Sequence, residues 1–188
     1  MNREQWLTEI ADRIAPYFKR KGYFPQAYRL TCGWPCRGAL AAKNRRLGEC
    51  HSSASSSGKV REVFVSPLVD DGSKVAGIVA HELVHASLDA GVGHKGPFVQ
   101  AMRHLGFVGK PTCTVPGKDL TERLAKIIEE IGAYPHQALR PAARVVKTGT
   151  TVRLVCGECG CKVSMSRSWY DRAGAPTCGC GAAMETVE

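Results

Sequence analysis

Apolar residues recur at three- and four-residue steps near the start of the chain, at Trp6, Leu7, Ile10, Ile14, Tyr17 and Phe18. That period belongs to a helix with one buried face and predicts one over residues 2–21. Asn2, with Gln5 three residues on, has the form of a capping box. Pro16 is expected to kink the helix late, and Gly22 to end it. Short β-prone runs follow at 26–31, 45–50 and 60–66; in the last, Val63, Phe64 and Val65 precede the stop at Pro67. Residues 52–58 form a Ser-rich loop. The turn at 70–73 can cap a second helix over 74–90, closed by Gly91. A third helix should start at Pro97 and stop at Gly106. A fourth spans 119–131, with Leu120, Leu124, Ile127, Ile128 and Ile131 on one face. From 135 to 150 the pattern decays, and short strands are expected at 152–155 and 162–169. The chain therefore divides into a domain over 1–140, a linker over 141–151 and a small module over 152–188.

The second predicted helix carries His81-Glu82-Leu83-Val84-His85. Residues four apart share a helix face, so His81 and His85 can present two imidazoles to one ion. Glu82 lies on the flank of that face, within reach of a metal-bound water without being a ligand. This is the H-E-x-x-H arrangement of zinc peptidases. Zinc would acidify the water and polarise the scissile carbonyl, and Glu82 would take the proton. The competing reading is a buried helix with a polar edge. Ile78, Val79, Leu83 and Val84 anchor the segment in an apolar core, where polar groups without a purpose are costly.

A catalytic zinc takes three protein ligands and keeps one position open. The metzincin pattern needs a histidine at position 91, which is Gly91, so that class is excluded. His94 is the favoured third ligand, because Gly91, Gly93 and Gly96 let the chain turn back toward the metal. His104 on the next helix and Glu122 are the alternatives.

The run HELVHASLDAGVGHKGPFVQAMRHLGF resembles the SprT-like metalloprotease family, which includes the Spartan proteases. That family pairs the H-E-x-x-H helix with a downstream G-H-x-x-x-F segment, matched by Gly93, His94 and Phe98. The resemblance implies zinc ligands at His81, His85 and His94 and a general base at Glu82. It also implies an N-terminal helix and small sheet before the active-site helix, with a zinc ribbon after it. The specific part covers only residues 81–98, and the insertion between His85 and His94 is short compared with some members. The family is linked to cleavage of proteins attached to DNA, which implies protein substrates and a DNA partner.

Nine cysteines are many for a chain of 188 residues, and five lie between Cys156 and Cys180. Their odd number and clustering favour metal binding over a disulfide framework. Cys156 and Cys159, then Cys178 and Cys180, read as a zinc ribbon with four thiolates on a structural ion. So small a module needs the metal to fold. The second pair is one residue tighter than usual, and Cys161 could replace Cys159 or Cys180. Lys162, Arg167 and Arg172 lie between the pairs, beside Trp169 and Tyr170. The cations suit contact with a nucleic-acid backbone, whereas Trp169 is expected to pack the ribbon core. Elsewhere, the irregular spacing of Cys32, Cys36, Cys50 and His51 argues against a third metal site. Cys32 and Cys50 read as buried strand residues, and Cys113 as a lone thiol. Tyr134 and His136 read as loop packing in preference to oxyanion donors.

The net charge is +9, with an excess of six positive charges over 1–50, none over 51–139 and three over 140–188. The basic ends suit a phosphate backbone as well as a merely solvated surface, and charge alone does not choose. The composition is that of a soluble globular protein, and no apolar run is long enough for a membrane span. The N-terminus lacks the apolar stretch of a secretion signal, so a cytoplasmic location is expected. Together these observations predict an α+β, zincin-like metalloprotease with a C-terminal zinc ribbon, holding one catalytic and one structural zinc. The first rival is a zinc-stabilised nucleic-acid-binding or regulatory protein with a silent H-E-x-x-H site. The second is a metal-dependent hydrolase of a non-peptide bond.

Overall fold

The computed structural model describes residues 1–141 and 150–187. Two units separate, Met1–Arg140 and Pro141–Glu188. Both helices and small sheets are present, so the class is mixed α+β. Most of the expected linker lies outside the described residues. No helix among the described residues is long and apolar enough to cross a membrane.

Helix α1 (Arg3–Arg20) starts at the expected capping box, with Asn2 and Gln5 bonding each other's backbone N–H, and runs through Pro16. It buries Trp6, Leu7, Ile10, Ala11, Ile14, Ala15 and Phe18. The Trp6 indole N–H donates to the Gly132 carbonyl at 2.8 Å and ties the start of α1 to the end of the domain's last helix. Strands β1 (Tyr28–Cys32), β2 (Gly48–His51) and β3 (Arg61–Val65) form one sheet in the order β1-β3-β2. β1 runs parallel to β3, and β2 antiparallel to it at the edge. In β3 the alternation buries Arg61, Val63 and Val65 on one face.

Helix α2 (Gly72–Ala86) begins at Asp71, whose side chain accepts from the Lys74 N–H at 2.6 Å. It ends four residues before the expected Ala90. The Ser87 hydroxyl donates back to the Leu83 carbonyl at 2.8 Å, competing with the next turn of the ladder. Val75, Ala76, Val79, Ala80, Leu83 and Val84 are fully buried and join the core of α1 and the sheet. Helix α3 (Pro97–His104) follows the glycine turn, and helix α4 (Lys118–Ile131) buries Leu120, Leu124 and Ile127. Between them a hairpin of β4 (Phe107–Lys110) and β5 (Cys113–Pro116) appears that the periodicity does not predict.

In the second unit β6 (Thr151–Cys156) pairs with β7 (Lys162–Ser166) on one side and β8 (Met184–Thr186) on the other. The strand expected over 162–169 stops at Ser166. Ser166 instead caps a short helix α5 (Arg167–Ala173), accepting from the Trp169 N–H at 3.3 Å. The buried core among the described residues is small: Val152, Leu154, Cys156, Cys178 and Met184.

Candidate metal centres

Among the described residues, three groups of side chains place potential ligand atoms within 4.8 Å of one another. The first joins His81 and His85, one turn apart on α2, with His94 from the glycine turn. His85 Nε2 and His94 Nε2 are 3.2 Å apart. Gly91 and Gly93 take positive φ values of 85° and 59°, the left-handed conformation that lets the turn fold back. His104 lies elsewhere, edge-on to the Tyr23 ring at 5.7 Å, and Glu122 is on the exposed side of α4. Of the three candidates for a third ligand, only His94 meets the α2 histidines.

Two residues organise this cluster. Phe98, buried on α3, stacks on His85 with ring centroids 4.2 Å apart and meets His94 edge-on at 4.8 Å. Thr114 on β5 bonds His81 Nδ1 through its hydroxyl at 2.8 Å. A proton on Nδ1, donated to that hydroxyl, leaves the Nε2 lone pair for a metal. Thr114 carries no local signature in the sequence that marks this role. Burial pushes the His81 pKa down to about 4, helped by the charge of His94. Burial, then His81 and His94, push His85 down to about 3. His94 is also lowered, first by burial and then by Arg46. All three imidazoles are therefore neutral near pH 7, the form that ligates.

Glu82 is only 4% exposed. Its Oε2 has no hydrogen-bond partner among the described residues. Burial, reinforced by the charge of Glu49, raises its pKa to about 8. At that value the carboxyl carries its proton near pH 7, and a cation held at the adjoining histidines would favour the ionised form that accepts one. Gly48 of β2 lies against it. A Cβ there would collide with the Glu82 carboxylate and come within 2.7 Å of Ile78 Cγ2.

The second group is Cys156, Cys159, Cys178 and Cys180. Cys156 Sγ and Cys180 Sγ are 3.5 Å apart, and Cys159 Sγ and Cys178 Sγ 3.4 Å. The tighter second pair still closes the cluster, because Cys178 lies in a turn closed by the Gly181 N–H. The exposed Cys161 stands outside it. Hydrogen bonds from backbone N–H groups, that of Cys159 first, lower the Cys156 thiol pKa to about 6. Trp169 does not pack the small core as expected. It is 58% exposed, with the Arg172 guanidinium 5.3 Å from its ring centre. The helix at Arg167 turns its ring outward instead. Arg167 lies 5.9 Å from the Tyr170 ring, and Lys162 is exposed at the start of β7.

Tyr134 and His136 are held in the wall of the domain. Tyr134 packs against Trp6 at 4.8 Å, and His136 Nε2 bonds the Pro67 carbonyl at 2.9 Å. The third ligand group is Cys36, Glu49 and His51. Cys32 and Cys50 are half-buried strand residues and do not take part in it. Comparison with protein-family models, with curated proteins and with solved structures finds no match.

Proposed function

We propose that Met1–Arg140 is a zincin-like, SprT-type metalloprotease domain and Pro141–Glu188 a zinc ribbon. The carrying observation is the convergence of His81, His85 and His94 beside a buried carboxylate with an oxygen left without a partner. Tetrahedral zinc holds imidazole nitrogens at about 2.0 Å, which puts two of them roughly 3.3 Å apart. The 3.2 Å between His85 Nε2 and His94 Nε2 fits that edge. Two lone pairs so close need a shared proton or a shared cation. The donor sets also divide as zinc sites do, three imidazoles that leave a position open against four thiolates that close one.

When bound at the histidines, zinc supplies the Lewis acidity that acidifies water and polarises a peptide carbonyl. The chain's own residues do the rest. Thr114 and Phe98 fix the orientation of the imidazoles. Glu82, ionised when a cation sits at the histidines, would accept the proton from the attacking water and return it to the leaving amine. Its burial keeps that carboxylate from being solvated in place of the reacting water. The four thiolates of the second unit compensate for a core of five buried side chains. The exposed Trp169 under Arg172, together with Arg167, Lys162 and the basic ends of the chain, supports a DNA-associated setting for the substrate.

Glu82→Gln keeps size and polarity but cannot accept a proton. It is expected to retain zinc and fold while losing turnover by at least about two orders of magnitude. Protein cleavage measured with and without DNA tests both halves of the proposal. Cleavage by Glu82→Gln at the parental rate overturns the assignment. A parent that holds zinc at the histidines yet cleaves nothing favours the silent-site reading, in which the chain binds or regulates.

A further inference from the structure

Side chains alternate across a strand, so β2 divides its four residues between two faces. Gly48 and Cys50 turn toward α2: Gly48 abuts Glu82, and Cys50 packs against the core. Glu49 and His51 turn to the opposite face of the sheet. There His51 meets Phe64 of β3 edge-on at 5.6 Å. The chain between β1 and β2, residues 33–47, brings Cys36 to the same place. Cys36 Sγ is 3.5 Å from His51 Nε2, and His51 Nε2 is 3.3 Å from Glu49 Oε2.

We propose that Cys36, Glu49 and His51 form a third metal site, for a divalent cation of zinc's softness, that staples loop 33–47 to the edge strand. The spacing carries the argument. With bonds of about 2.0 Å to nitrogen or oxygen and 2.3 Å to sulfur, a tetrahedral ion sets its N···O edge near 3.3 Å and its N···S edge at roughly 3.5 Å. Both observed separations match. One thiolate and one imidazole select zinc-like ions over magnesium or calcium, which prefer oxygen alone. The carboxylate is also oriented as a ligand's is. Arg46 pairs with Glu49 Oε1, and the Cys36 N–H donates to Oε2 at 2.6 Å. Three protein ligands leave a fourth position to water.

The loop supplies the need. Residues 33–47 contain no helix or strand, and Pro35 is the one buried residue among them. Loops of this length without secondary structure are uncommon in compact domains. With little apolar burial to order it, such a loop gains from a clip that closes it. The site lies on the face of the sheet away from α2 and shares no ligand with the histidine cluster, although the charge of Glu49 reaches Glu82.

Zinc itself is the probe. The full chain is dialysed against a buffer holding free zinc at a fixed low level, and bound zinc is counted by elemental analysis. Cys36→Ser and His51→Gln are each expected to hold one zinc fewer than the parent. Amide protection across 34–47 should rise with zinc in the parent and not in either variant. The paired substitution His81→Ala with His85→Ala should keep this zinc, so a failure of the histidine site reads out separately. Equal zinc in the parent and both variants overturns the proposal. The two substitutions lie on different elements, so if one misfolds the other decides.

Discussion

His81 is held on two sides, by the ring of Phe98 at 5.3 Å and by the Thr114 hydroxyl at 2.8 Å. Thr114→Val keeps the shape of the side chain and removes its hydrogen bond. We expect metal affinity at the histidine cluster to fall by about 10-fold to 100-fold, as losses of such supporting bonds typically do. Competition against a chelator measures this, and an unchanged affinity would show that Phe98 alone orients the ring. At this scale legibility divided by distance along the chain. His81 and His85 share a helix face by their spacing, and a turn rich in glycine could return His94 to them. Thr114 lies 33 residues from His81, and only folding brings the two together. The cysteine spacings do not mark Glu49 as a partner for Cys36 and His51. The i, i+2 relation of Glu49 and His51 on a strand was the available signal.

Among elements, β2 approaches α2 closely at Gly48, beside Glu82. Gly48 permits it, since any Cβ would meet Ile78 and the Glu82 carboxylate. Gly48→Ala should therefore cost about 1–3 kcal/mol in stability, the usual penalty of overpacking a well-filled interior. Urea denaturation of the parent and variant checks it, and coincident midpoints would mean that the strand shifts freely. The long periodic helices α1 and α4 were readable, because each repeats an apolar residue every third or fourth position. The β4–β5 hairpin was not. Its strands are mostly exposed and contain Gly109 and Pro116, so neither alternation nor composition marks them. Helix α5 was hidden for a similar reason: it buries no residue fully, and a single capping serine starts it.

For the whole molecule, the two units differ in what can hold them folded. Met1–Arg140 has a continuous buried core from α1 to Tyr134, whereas the described residues of Pro141–Glu188 bury the small cluster around Leu154. Removing metal with a strong chelator should unfold the second unit and leave the first folded. Hydrogen exchange should show lost protection at Val152–Val155 and retained protection in α2. Protection of β6 that survives chelation would mean that apolar packing suffices there. Cys156→Ser should reproduce the effect of chelation without touching the first unit.

The local patterns are written in the chain itself: helix periods, caps, the H-E-x-x-H pair, the cysteine pairs and the break near residue 140. These rest on interactions between residues a few positions apart, which any close reading of the chain can reach. The tertiary structure decided which distant groups meet. It brought His94, not His104 or Glu122, to the α2 histidines, left Cys161 outside the cysteine cluster, turned Trp169 outward and brought Cys36 to Glu49 and His51. Each of those outcomes depends on how packed elements aim their side chains in space, and a one-dimensional period carries no information about that direction.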